Sequence, residues 1–231
     1  MAGQSAFDKQ QVQQSSQTEG SGLLEHLNLP PVVIRFIKRN KKNLQRGIIA
    51  VVTVVICLSL YNSYRSSRIQ KASAALAVAM QTVEPERHEA LLGVAVDFSG
   101  TPSARWAKAE LAHEQMKAGN FKKAAEQYGA VRKKTRNSDP LFALLTFGLA
   151  QANEAAGLFE GAIVEYQALQ KIAGYEREGV AGLARIYEFQ GEVKQALDVY
   201  EGYFATFTGQ SPDDPAKAEV EEKIARLKAM Q

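Results

Sequence analysis

The stretch Gly47 to Tyr64, GIIAVVTVVICLSLYNSY, constrains this chain more than any other, because it decides which solvent each of the remaining segments must fold in. From Ile48 to Leu60 no residue is charged, and Ile, Val and Leu dominate, with Thr53, Cys57 and Ser59 as weakly polar interruptions. As a helix, these residues reach about 27 Å at roughly 1.5 Å per residue, close to the roughly 30 Å hydrocarbon core of a bilayer. At roughly 0.3 to 0.6 kcal/mol per central aliphatic side chain, about ten of them favour insertion by about 3 to 6 kcal/mol. Tyr61 and Tyr64 stand where amphipathic rings meet lipid headgroups. No small-residue cleavage site follows Leu60 closely, since the Ala72 and Ala74 pair lies too far downstream. The span is therefore expected to remain as an anchor.

Charge sets the expected orientation, because the more basic flank of a span stays in the cytoplasm. Arg35, Lys38, Arg39, Lys41, Lys42 and Arg46 precede the span with no acid after Glu25, whereas only Arg65, Arg68 and Lys71 follow it closely. The chain is expected to be single-pass with its N-terminus cytoplasmic, and in a Gram-negative bacterium, where the span would cross the inner membrane, residues 65–231 would be periplasmic. The net charge of +3 divides unevenly: residues 1–46 hold seven basic side chains against Asp8, Glu19 and Glu25, and residues 65–231 hold 21 against 22 acidic ones. The large domain thus lacks the basic footprint of nucleic-acid binding, and no nucleic-acid partner is expected. The single cysteine, Cys57, lies in the span, so no intramolecular disulfide is available and stability must come from packing.

Residues 1–22 are rich in Gln, Ser and Gly and carry too few apolar side chains to offset ordering entropy, so they read as a disordered cytoplasmic tail. Residues 23–46 form a basic juxtamembrane segment in which a helix should start at Pro30-Pro31. Val32 to Arg46 suits either an interfacial helix on anionic lipid or a solvated flank. After the span at 47–64, apolar residues recur at helical spacing through Ile69, Ala72 and Leu76. Pro85-Glu86 then opens a second helix with Ala90, Leu91, Val94 and Phe98 on its buried side, giving a degenerate helical repeat over 65–102.

Three segments then repeat: GNFKKAAEQY from Gly119, GLFEGAIVEY from Gly157 and GEVKQALDVY from Gly191. Each places an apolar residue two positions after Gly, Ala five after and Tyr nine after, and each follows a Leu-Ala pair, at Leu111, Leu149 and Leu183. A helix hairpin explains the pattern: Gly permits the turn, Ala124, Ala162 and Ala196 let two helices cross closely, and Tyr128, Tyr166 and Tyr200 fill the groove toward the next pair. The copies are 38 and 34 residues apart, and their columns resemble the 34-residue tetratricopeptide repeat. The extra residues fall in KKTRNSDP, where Lys133, Lys134 and Arg136 read as a solvated turn. Three such repeats are expected over 103–210. Asp214-Pro215 opens a capping helix within 211–231, with Val220, Ile224 and Leu227 as its apolar stripe. The expected fold is all-α: an N-terminal transmembrane helix, then a tetratricopeptide-repeat α-solenoid of helix hairpins closed by a C-terminal capping helix.

Catalytic constellations are missing from this reading. His88 and His113 have no second His or Cys at metal-ligand spacing, and no phosphate loop or nucleophile elbow occurs, so no enzyme activity, cofactor or metal is expected. In this repeat the first helix of each pair lines the concave surface, which places Trp106, Ala109, His113 and Met116 in a groove. The same register adds Phe147, Gln151 and Glu154, then Ala181, Arg185 and Glu188. The expected protein-binding groove is Trp106, His113, Met116, Phe147, Gln151 and Arg185, a mixed surface suited to extended segments or a partner helix.

From the basic flank and span through LYNSYRSSRIQKASA and SARWAKAELA to the repeats, the chain resembles the YfgM family, ancillary subunits of the bacterial Sec translocon. The resemblance implies an inner-membrane protein beside the translocon. Its implied partners are Sec translocon subunits, periplasmic chaperones such as the PpiD-like foldase, and nascent secreted polypeptides. A tetratricopeptide scaffold for a cell-envelope or cell-division complex is the alternative.

Overall fold

The computed structural model describes residues 30–207 and 215–230. The expected tail at 1–22, the segment 23–29 and the break at 208–214, including the expected cap Asp214, lie outside the described residues. The chain divides into two units, Met1–Tyr64 and Arg65–Gln231.

In the first unit, α1 covers Pro31–Arg39, with proline in its first turn, where a missing N–H breaks no helical hydrogen bond. Asn40 closes it by donating its backbone N–H to the Phe36 carbonyl at 3.0 Å. Helix α2 covers Lys41–Gln81 and contains the whole apolar stretch, its residues from Arg65 onward belonging to the second unit. Its most apolar 18-residue window has a mean hydropathy of 1.9 and none of it is buried. Among the described residues it is the one helix long and apolar enough to cross a membrane. Thr53, the polar interruption, donates its hydroxyl to the Ile49 carbonyl one turn back at 2.8 Å, which satisfies it within the helix.

The second unit stacks helix hairpins. The end of α2 and α3 (Glu86–Asp97) pack with α4 (Pro102–Lys117) through Ala79, Leu91, Val94, Ala107 and Leu111. The repeats are α4 with α5 (Phe121–Arg132), α6 (Pro140–Ala155) with α7 (Phe159–Leu169), and α8 (Glu176–Phe189) with α9 (Val193–Phe204). A 3-10 turn at Ala205–Phe207 follows α9, and α10 (Pro215–Lys228) lies against the last hairpin. Each core cluster joins one hairpin to the first helix of the next. Leu141 and Leu145 of α6 enter the α4–α5 core, Leu183 and Ile186 of α8 enter the α6–α7 core, and Val220 and Leu227 of α10 enter the α8–α9 core. Such a stack is held by neighbour contacts alone, and its last hairpin needs a cap.

Local chemistry explains why the hairpins form where they do. Gly119, Gly157 and Gly191 have φ of 76°, 74° and 76°, a left-handed conformation that costs other residues energy. In each case the N–H of the residue after Gly bonds five residues back, as in Leu158 to Asn153 at 2.8 Å, while the Gly N–H bonds three back. This double bond is the Schellman ending, repeated in register at all three turns. Upstream, Thr101 accepts from the Ala104 N–H at 3.2 Å and Asp139 from the Leu141 N–H at 3.0 Å, each capping a helix that opens on proline. Ala112, Ala150 and Ala184 of the first helices and Ala124, Ala162 and Ala196 of the second are all at 0% exposure. They occupy the crossings where no larger side chain fits.

The tyrosine column meets the next hairpin at glycine. A Cβ on Gly148 would lie 2.8 Å from the Tyr128 ring, and one on Gly182 would overlap the Tyr166 ring. A ring face is thus in contact with helix backbone at both junctions. The turn at 133–138 leaves Lys133, Lys134 and Arg136 exposed, while Thr135 is buried and donates its hydroxyl to the Val131 carbonyl at 2.9 Å.

Candidate functional site

Counting from the Leu-Ala pair of each first helix, the residue two after Leu faces the residue five after Leu on the preceding hairpin. Glu154, five after Leu149, receives both Nε of Arg185 at 2.6 Å and an Nη of the same guanidinium at 2.8 Å. Glu188, five after Leu183, receives Arg226 of the capping helix at 2.6 Å. At the first junction the same two positions hold Met116 and Gln151, so the row of ion pairs is interrupted there. A cavity of about 660 Å³ opens at this interruption. Its walls include Met116, Gln151, Glu154 and Arg185 from three successive first helices, and Phe159 and Phe189 at its side. The Phe159 and Phe189 rings lie 5.2 Å apart at 43°, and Phe189 is 75% exposed.

Tyr166 anchors the charged wall from below. Its buried ring packs on α8, while its hydroxyl donates to Glu154 at 2.6 Å and accepts from Arg185 at 3.1 Å. Burial pushes the Glu154 carboxyl up, but hydrogen bonds from Arg185 and Tyr166 together with the Arg185 charge outweigh it, and its pKa lies below the usual value. Burial, followed by the hydrogen bond to Glu154, holds the Tyr166 phenol well above its usual value. The wall therefore presents a carboxylate with all its nearest donors in place and a guanidinium with one side open, since Arg185 is about half exposed. No proton-transfer chemistry follows from such a set; it can orient a polar backbone or a charged side chain beside an apolar floor.

Of the residues expected in the groove, Met116, Gln151 and Arg185 share this cavity. Trp106, 39% exposed, and His113, also exposed, lie on α4 outside the cavity's lining. Phe147 is turned inward and packs against the core of α6, α7 and α8. His88 pairs through Nδ1 with Glu114 at 2.6 Å, and Arg87 with Glu110 at 2.9 Å, tying α3 to α4. Among the described residues, no three His, Cys, Asp or Glu side chains come together as a metal site. Phe189 did not emerge from sequence reasoning, although a signal was present: the corresponding positions before the other two turns hold Lys117 and Ala155, so a phenylalanine there departs from the column.

A family model described as a tetratricopeptide repeat-like domain matches residues 35–228. The chain belongs to that tetratricopeptide repeat-like family. No curated protein matches the sequence. Among solved structures, a candidate kinesin light chain of Podosopora anserina, built of nearly identical tetratricopeptide-like repeats, is similar at 21% identity and a TM-score of 0.52 over 71% of this chain and 85% of that one. A single-substitution variant of it is similar at 22% identity and a TM-score of 0.52, over 71% and 84%. At such identity the likeness concerns the fold, an all-helical tetratricopeptide-like solenoid. Repeat domains of this family present surfaces to other proteins, and protein–protein interaction is the coarse function that membership supports.

Proposed function

We propose that the chain is a membrane-anchored interaction module of a bacterial inner membrane, an ancillary translocon subunit that holds the groove of α4, α6 and α8 close to emerging secreted polypeptides and their chaperones. The observation that carries this reading is the interrupted ion-pair row: an apolar cavity with Met116 as floor, Phe159 and Phe189 as rim and Arg185 at one wall. Such a cavity accepts an apolar side chain while its polar wall meets the backbone of an extended segment. The apolar window of α2, its basic N-terminal flank and the resemblance to the YfgM family support the location. Tethering raises the effective concentration of a weak site to the millimolar range without new contacts, which suits transient handover. Residues 65–231 would stand in the periplasm, and the partners would be Sec translocon subunits, a PpiD-like chaperone and nascent chains.

The test is photo-crosslinking in living cells from residues placed at 116, 151 and 189, with 164 on α7 as a control outside the cavity. Recovery of Sec subunits, chaperones or nascent chains from the first three and not from 164 is expected. Recovery of only cell-division or envelope-assembly proteins would replace the translocon by a scaffold role, and labelling equal at all four positions would remove the groove from the account.

A further inference from the structure

Helix α1 has an apolar face that is exposed among the described residues. Val32 is 69% exposed, Phe36 61% and Val33 39%. At roughly 100° per residue, Val32, Val33, Phe36 and Ile37 share an arc of about 140°, and Arg35 and Arg39 lie together outside it. An exposed phenylalanine and valines on a nine-residue helix are costly in water, where so short a helix gains little from its own hydrogen bonds. The helix also has a fixed place in the chain: it ends at Asn40, and α2, which carries the apolar window, begins at Lys41. Lys41, Lys42 and Arg46 extend the cationic character into the first turns of α2, and no acidic residue occurs from 26 to 83.

We infer that α1 is a lipid-binding element that lies in the headgroup region of an anionic leaflet, with Val33 and Phe36 in the acyl boundary and Arg35 and Arg39 on phosphate groups. Two independent features select this occupant over a protein. The face combines a continuous apolar arc with cations and no carboxylate, which matches a surface whose own charge is uniformly negative. It also adjoins α2, the helix that carries the candidate span, through one residue, so insertion of the span would deliver α1 close to the interface at little further entropic cost. The inference rests on the anchored reading of α2 for its geometry, and the experiment separates the two.

The full chain, with Cys57→Ser and Val33→Cys carrying an environment-sensitive fluorophore, is reconstituted into vesicles of phosphatidylcholine alone or with about one third phosphatidylglycerol. Quenching by a lipid spin-labelled near the headgroup is measured. A second chain carries the probe at Val52→Cys, within the apolar window. Quenching at 33 should be at least about twofold stronger in anionic vesicles, and the double variant Arg35→Gln, Arg39→Gln should lose that gain, as should about 0.5 M salt. Quenching at 52, read with a label deep in the bilayer, should be the same in both vesicle types. If position 33 is no more quenched in anionic than in neutral vesicles, the lipid assignment falls, whatever position 52 reports. Failure at 52 with success at 33 would overturn the span and leave α1 as a peripheral lipid binder.

Discussion

The Tyr166 ring sits against the backbone of α8 at Gly182 while its hydroxyl reaches Glu154, so one side chain couples the packing of two hairpins to the charged wall of the cavity. Adding a methyl at Gly182 would drive the ring from this position, and Gly182→Ala should destabilise the chain by about 1 to 3 kcal/mol through overpacking. Gly148→Ala against Tyr128 should act in the same direction. Gly93 provides the opposite case: it lies inside α3 with nothing within 4 Å of its added Cβ, so Gly93→Ala should stabilise by about 0.5 to 1 kcal/mol through helix propensity. Urea unfolding of the three variants in mild detergent, followed by circular dichroism, checks both signs. Glu154 makes a pH-dependent contribution. Its folded-state pKa is depressed, so the stability it supplies is present above its unfolded value of about 4.3 and is lost as pH falls through the lower folded value. Glu154→Gln should therefore flatten the loss of stability below about pH 4.3, a difference read from melting temperatures measured between pH 3 and 6.

Helix α10 shows what an isolated hairpin lacks. Leu227 is at 0% exposure and Val220 at 5%, both in the core of the last repeat, and Arg226 and Lys228 pair with Glu188 and Glu201 of α8 and α9. Leu227→Ala should cost about 2 to 5 kcal/mol by opening a cavity. Because neighbour contacts carry the stack, hydrogen exchange should accelerate in α8, α9 and α10 and change little in α4 and α5. The extent to which such elements could be read from sequence follows from how local their causes are. The turns at Gly119, Gly157 and Gly191 and the six buried alanines depend on a few consecutive residues, and their spacing was visible in the repeat columns. The Glu154–Arg185 and Glu188–Arg226 pairs join residues 31 and 38 positions apart, and they require a register between hairpins that periodicity does not specify. Phe147 illustrates the same limit: it shares a helix with Gln151, yet packing against α7 and α8 turns its side into the core and leaves Gln151 at the cavity. The gap between Met116 and Gln151 stands out only against the ion pairs at the two junctions that follow it.

For the molecule as a whole, the proposed location of the repeats rests on charge asymmetry across one apolar helix. Six basic residues between 35 and 46 precede the apolar window and three follow it by residue 71, and across a membrane span the more basic flank is the one retained in the cytoplasm. The repeat unit carries almost no net charge, so it would neither oppose translocation strongly nor direct it, and the flank alone should set the topology. A periplasm-dependent reporter such as alkaline phosphatase, fused after Gln231, should then be active, and the same reporter fused after Arg46 inactive. Changing Arg35, Lys38, Arg39, Lys41, Lys42 and Arg46 to Gln would leave Arg65, Arg68 and Lys71 as the more basic flank. Activity of the C-terminal fusion should fall several-fold, because a share of the chains would insert with the repeats in the cytoplasm. A fusion after Gln231 that is inactive in the unaltered chain would overturn the location, and with it the proposal that the cavity of Met116 and Arg185 meets secreted polypeptides.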